Sequence, residues 1–126
     1  MRLLLDTHTL LWAVARVSEL PPRVRTLLED GGTEAYVSAA STWEMSIKAS
    51  LGKLDVDLDA LVAEVRELGF SELKVSFEHT KRAGTLPLVH RDPFDRLLVA
   101  QALEEGLTLV SRDPAFGGYS APTLWE

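Results

Sequence analysis

Apolar residues follow two rhythms along this chain, and the rhythms alternate. Short unbroken apolar runs suit strands buried on both faces, and they stand at Arg2 to Leu5, at Ala35 to Val37 and in LTLVS. Between these runs the apolar residues recur every three or four positions. Thr9 to Ala15 reads as a helix. Pro21 and Pro22 open a second, with Val24, Leu27 and Leu28 on one face and Gly31 and Gly32 ending it. A third helix is expected from about Ser41 through Ala49, with Gly52 just past its end. Leu58, Leu61, Val62, Val65 and Leu68 keep helical spacing, between a start signal at Asp57 and a stop at Gly69. Leu73 to Val75 predict a weak strand and Phe77 to Ala83 a short helix. The punctuation is fullest in HRDPFDRLLVAQALEEG: Asp92 is a natural N-cap, Pro93 takes the first helical position, and Gly106 ends the helix. A final strand is expected near Thr123 to Trp125.

Strands alternating with helices predict an α/β fold of three layers, a mainly parallel central sheet flanked by helices. No repeat, linker or low-complexity tract interrupts it, so one domain over residues 1–126 is expected. In parallel sheets, ligands bind outside the carboxyl ends of the strands. Four acids fall at that edge: Asp6 in LLLDT, Glu44 in STWE, Asp95 in DPFDR and Asp113 in LVSRD. Asp6 and Asp113 follow strands directly. Glu44 and Asp95 are expected in the first turn of helices bordering the same edge. Gathered carboxylates repel one another unless protons or cations neutralise them. Hard divalent ions with oxygen ligands are the usual solution, and such sites act beside phosphates. The pattern therefore suggests metal-dependent chemistry on a phosphate ester.

Each acid also has a plain structural reading. Asp6 suits an N-cap or Asx-turn before the helix at Thr9. Ser41 and Glu44 form a capping box on their face. Asp95 lies three residues after the cap Asp92, where the helix dipole favours an anion. Asp113, before Pro114, is a turn residue by composition. A structural acid, however, has no reason to share an edge with the other three. Asp92 itself is read as a cap.

Composition narrows the setting. The chain has 126 residues, 46% of them hydrophobic, and a mean hydropathy near zero, which excludes a disordered chain. No apolar run is long enough to span a bilayer, and the LLL before Asp6 is too short for a signal peptide, so a cytoplasmic protein is expected. Cysteine is absent, which removes disulfides, thiolate metal sites and cysteine nucleophiles. The net charge of −6 argues against tight, non-specific coating of RNA or DNA. It does not argue against a nuclease whose bound cations cancel negative charge locally.

The order Leu-Leu-Asp-Thr-His, Ser-x-x-Glu, Asp-Pro-Phe-Asp-Arg-Leu-Leu and Ser-Arg-Asp resembles a PIN-domain protein. More narrowly, DTHTLLW and DPFDR resemble VapC-type toxins of bacterial toxin–antitoxin pairs, over nearly the whole chain. The resemblance implies a PIN-like fold and an endoribonuclease dependent on Mg²⁺ or Mn²⁺, with Asp6, Glu44, Asp95 and Asp113 as its catalytic, metal-holding quartet. It also implies a small VapB-type antitoxin that covers a hydrophobic groove, and a homodimer.

The chemistry such a quartet serves can be stated physically. Both the attacking hydroxide and the leaving alkoxide of a phosphodiester need charge neutralisation, which divalent ions supply. Asp6 and Asp95 are expected as direct ligands, Asp113 as a ligand directly or through water, and Glu44 as the residue orienting water. Thr7 and Ser111 are expected behind them, hydrogen-bonding the carboxylates. His8, His79 and His90 lack zinc-site spacing. His8, Lys48, Arg91, Arg96 and Arg112 are candidate contacts to RNA phosphates, with His90 beside them. Trp12, Trp43 and Leu51 are candidate partner contacts, although Trp43 is expected in the core. Rival functions are a stand-alone RNA- or DNA-processing nuclease, an inactive RNA- or protein-binding module, and a phosphatase of small esters.

Overall fold

The structure, a computed structural model, describes residues 1–89 and 92–126. His90 and Arg91 lie outside the described residues. Five strands form one all-parallel sheet: β1 (Arg2–Leu5), β2 (Glu34–Ser38), β3 (Ser71–Leu73), β4 (Thr108–Val110) and β5 (Thr123–Leu124), in the spatial order β3-β2-β1-β4-β5. The chain runs outward from β1 to β2 and β3, then returns to place β4 on the other side of β1. β1 is therefore the switch point of the sheet, where a crevice opens at the carboxyl edge.

Six α-helices cover the sheet: α1 (Thr7–Ala15), α2 (Pro22–Glu29), α3 (Ala39–Ser50), α4 (Leu58–Glu67), α5 (Phe77–Thr85) and α6 (Pro93–Glu105). The strands alternate their side chains between two cores. Leu3 and Leu5 of β1, Ala35 and Val37 of β2 and Val110 of β4 join Leu10, Val24, Met45, Leu61 and Val65 on one face. Leu4 and Leu109 turn the other way, to Leu98, Val99, Ala102 and Phe116. Both faces of the sheet are thus buried, which is why its central strands are written as unbroken apolar runs rather than as alternating ones. No helix among the described residues is long and apolar enough to cross a membrane.

Three expected boundaries move. The first helix starts at Thr7 rather than Thr9, because Asp6 is its cap. The third starts at Ala39 rather than Ser41, because Ser38 caps it. The weak strand lies at Ser71–Leu73, paired in parallel with β2, rather than at Leu73 to Val75. Gly106 does end α6, at a φ of 66° that suits glycine.

Candidate active site

Asp6 is the first residue beyond β1. Its backbone N–H still donates to the Val110 carbonyl of β4 (3.2 Å), so the residue is held between the two central strands. Its Oδ1 accepts from the Thr9 N–H at 2.8 Å and so caps α1. The cap therefore does not take the residue out of the cleft: one oxygen is tied to the helix, and the residue lines the cleft.

Glu44 reaches the same cleft from α3. The capping box expected between Ser41 and Glu44 does not form. Ser38 Oγ accepts from the Ala40 N–H at 3.0 Å, which starts the helix two residues early and puts Glu44 in its second turn. The Ser41 hydroxyl is buried without a hydrogen-bond partner among the described residues. The Glu44 carboxylate is instead held by two side chains. Thr7 Oγ1 donates to its Oε1 at 2.7 Å, and Lys48 Nζ, one turn further on, lies 3.1 Å from its Oε2. The carboxylate is largely buried, so this pair is screened less than one on the open surface.

Asp92 caps α6, accepting from the N–H groups of Phe94 (2.8 Å) and Asp95 (3.2 Å). Asp95 therefore stands in the first turn of α6, as expected. Asp113 follows β4 and caps the short 3₁₀ turn at Pro114–Gly118, accepting from the Ala115 N–H at 2.9 Å. Ser111 Oγ accepts from the Asp113 N–H at 3.0 Å, which fixes the backbone from which that carboxylate projects.

Asp6, Glu44, Asp95 and Asp113 all line one cleft of about 610 Å³ at the carboxyl edge of the sheet. Asp92 lines it as well, so its capping role does not remove it from the site. Among the described residues, five carboxylates and three cationic side chains, Lys48, Lys53 and Arg112, line it. The carboxylates are hard oxygen donors, which fit Mg²⁺ or Mn²⁺ rather than a soft metal. Among the described residues, no three acidic or histidine side chains stand close enough together to form a finished ligand set.

The expected phosphate contacts divide. His8 is exposed on the cleft, its ring 5.9 Å from that of Trp12. Lys48 and Arg112 also line the cleft, and the Arg112 guanidinium lies over the Trp12 ring at 4.9 Å. Arg96 does not line it. Its guanidinium donates to the carbonyls of Ala83, Leu86 and Pro87, and so joins α6 to the end of α5. Arg91 lies outside the described residues. Lys53, in the loop after α3, lines the cleft and was not expected there: a lone lysine after a glycine carries no sequence signal.

Trp43 corrects another expectation. The buried stripe of α3 runs through Ala40, Ser41, Glu44 and Met45, so Trp43 falls beside it and is 60% exposed, edge to face with Phe94 at 5.2 Å. Leu51 is exposed as well, whereas Trp12 packs on the core and on Trp125.

This fold is similar to those of solved proteins. The chain resembles VapBC2 from Rickettsia felis bound to a DNA fragment from their promoter, with a TM-score of 0.71 at 16% identity over 100% of each chain. It also resembles a toxin-antitoxin complex from Klebsiella pneumoniae (TM-score 0.64, 17% identity, 96% of this chain and 94% of that one). FitAcB from Neisseria gonorrhoeae is a third likeness (TM-score 0.60, 19% identity, 97% and 96%). No curated protein sequence matches the chain. The PIN domain profile matches residues 3–121, a span that takes in all five acids lining the cleft, and the chain belongs to the PIN domain family.

Proposed function

We propose that this protein is a divalent-metal-dependent endoribonuclease, the toxin of a VapC-type toxin–antitoxin pair, working as one unit over residues 1–126. The observation that carries this reading is the cleft: four acids from four separate stretches of chain line it together. The similar structures named above are toxin–antitoxin complexes, which supports the choice within the PIN family.

Asp6 and Asp95 would hold Mg²⁺ or Mn²⁺ directly, Asp113 directly or through water. When bound, the ion supplies Lewis acidity, activating water and neutralising charge on the leaving oxygen. Glu44 would orient the water, and Thr7 holds Glu44 in place through the bond at 2.7 Å. Ser111 sets the backbone of Asp113. Lys48, Lys53 and Arg112 give RNA phosphates a cationic border to an otherwise acidic cleft.

Two grooves beside α1 suit an antitoxin segment. Leu11, Val14, Val56 and Leu61 line one, and Trp12, Leu20, Pro22 and Trp125 line the other. An amphipathic helix fits such a surface, and a basic residue carried with it would enter the carboxylates in place of the metal. Trp43 and Leu51 offer exposed apolar area for pairing as a homodimer.

The test is cleavage of an RNA panel by purified protein with Mg²⁺, with Mn²⁺ and with chelator, repeated after co-expression with the small gene adjoining its own. Metal-dependent cleavage that the co-purified small protein suppresses is the expected result. Cleavage that continues in chelator overturns the metal reading. Metal-dependent cleavage with no inhibitory partner leaves a stand-alone processing nuclease.

A further inference from the structure

We propose that Gln101 is a positioning residue, which sets the distance between Glu44 and Asp95 across the cleft. The inference rests on the nuclease reading above and concerns how its carboxylates are spaced. Gln101 is fully buried in α6, well away from the cleft lining. Its Oε1 accepts from Ser38 Oγ at 2.6 Å, and Ser38 is the N-cap of α3. The bond therefore ties the first residue of the α3 cap to the middle of α6.

The spacing gives that tie its meaning. Glu44 lies six residues after Ser38, and Asp95 lies six residues before Gln101. At 1.5 Å per residue, each span is about 9 Å of helix. Trp43 on α3 touches Phe94 on α6, so advancing along α3 runs back along α6. The two helices are thus pinned at one end by Ser38 and Gln101, and present Glu44 and Asp95 at the same height at the other. A slip of one helix past the other would change the separation of the two carboxylates directly.

The pin is itself held. Gln101 Nε2 lies 3.4 Å from the Lys74 carbonyl and 3.3 Å from His79 Nδ1. Nδ1 also accepts from the Ser76 N–H at 3.0 Å, so the ring hydrogen belongs on Nε2, 2.9 Å from Glu105 Oε1. The histidine is buried on α5, and it fixes which way the glutamine amide points. An amide flipped end for end would set its oxygen against the Lys74 carbonyl oxygen and the lone pair of Nδ1, two acceptors that only the NH₂ can satisfy. The network therefore admits one orientation of Gln101.

The experiment uses the whole chain with Gln101→Met, which keeps size and removes both hydrogen-bonding groups. Mn²⁺ binding is read by calorimetry and RNA cleavage by initial rates. The expected result is kcat lower by about 10- to 100-fold with KM changed less than about twofold, and a Mn²⁺ dissociation constant raised about tenfold. In a Glu44→Gln background the same substitution should leave Mn²⁺ affinity unchanged, because Gln101 acts through the position of Glu44. A purely structural role would weaken binding equally in both backgrounds and would overturn the proposal. So would a folded Gln101→Met protein with wild-type kcat and Mn²⁺ affinity. Ser38→Ala reads the same link from the other helix and should give the same loss of affinity. If neither variant folds, the tie serves stability rather than spacing, and the proposal fails. Absence of cleavage by the wild-type protein would instead count against the nuclease reading, and the Mn²⁺ comparison would still decide the role of Gln101.

Discussion

The acidic cleft and the buried cluster of Ser38, Gln101 and His79 are both polar groups set beside α3 and α6, yet their accounts of donors and acceptors differ. In the cluster the groups match: the serine hydroxyl meets the glutamine oxygen, and the histidine hydrogen meets Glu105. In the cleft, among the described residues, five carboxylates and three cationic side chains share one open lining. A closed network fixes one packing arrangement and asks nothing of the solvent. Carboxylates gathered at an open cleft repel one another and gain from a cation brought in from solvent. Of two polar patches in one small protein, the open one is therefore the place to look for chemistry.

That contrast can be broken most directly by removing a carboxylate. Asp6→Asn or Asp95→Asn should lower RNA cleavage by about 10²- to 10³-fold, the scale of losing a charge-stabilising group. The melting temperature in chelator should hold or rise, since mutual repulsion is relieved. A variant that melts early would show its carboxylate belonging to the fold. Next in size, Mn²⁺ at about 100 times its dissociation constant should stabilise the wild-type protein by about 2.7 kcal/mol, and Asp95→Asn much less. Calorimetric melting with and without Mn²⁺ decides this, and equal shifts in both proteins would place the ion elsewhere.

The buried cluster should answer first in stability. His79→Ala leaves the Ser76 N–H without its side-chain acceptor and the glutamine amide with the Lys74 carbonyl alone, and should cost about 1–3 kcal/mol in urea unfolding, with a smaller loss of Mn²⁺ affinity than Gln101→Met. Smallest is Asp92→Ala, which loses an N-cap worth about 0.5–2 kcal/mol. Asp92 also lines the cleft, so it sits on the border of the comparison. An Asp92→Ala protein that melts normally and no longer cleaves RNA would move it to the side of the acids.

Much of the fold could be read before any coordinates. The three main strands, the α6 cap at Asp92, its proline and its terminating glycine all declare themselves through backbone chemistry that needs no tertiary information. The shared edge of the four acids followed from strand polarity alone. What was hidden depended on competition between neighbours. Ser38 and Ser41 are both good caps, and only the pull of Gln101 and the register of β2 into α3 decide for Ser38. Trp43 looked like core by its chemistry, and its exposure follows from its place beside the buried stripe of Ala40, Ser41, Glu44 and Met45. His79 showed no metal spacing and so no role. Its partners lie at 76, 101 and 105, a grouping that exists only once α5 packs on α6.

The capping bonds of the acids bear on the order of events in a cell. Asp6, Asp92 and Asp113 are each oriented by backbone N–H groups of the element that follows, and Glu44 by Thr7. In small zinc domains the ion supplies the folding free energy, and the chain is unfolded without it. Here the scaffold of the cleft is built by helix starts, from bonds formed as the chain folds. On the function proposed above, folding and metal loading would be separate steps. A freshly made molecule would then be complete and compact yet inert, and the supply of divalent ion, rather than the rate of folding, would set when it begins to cleave RNA.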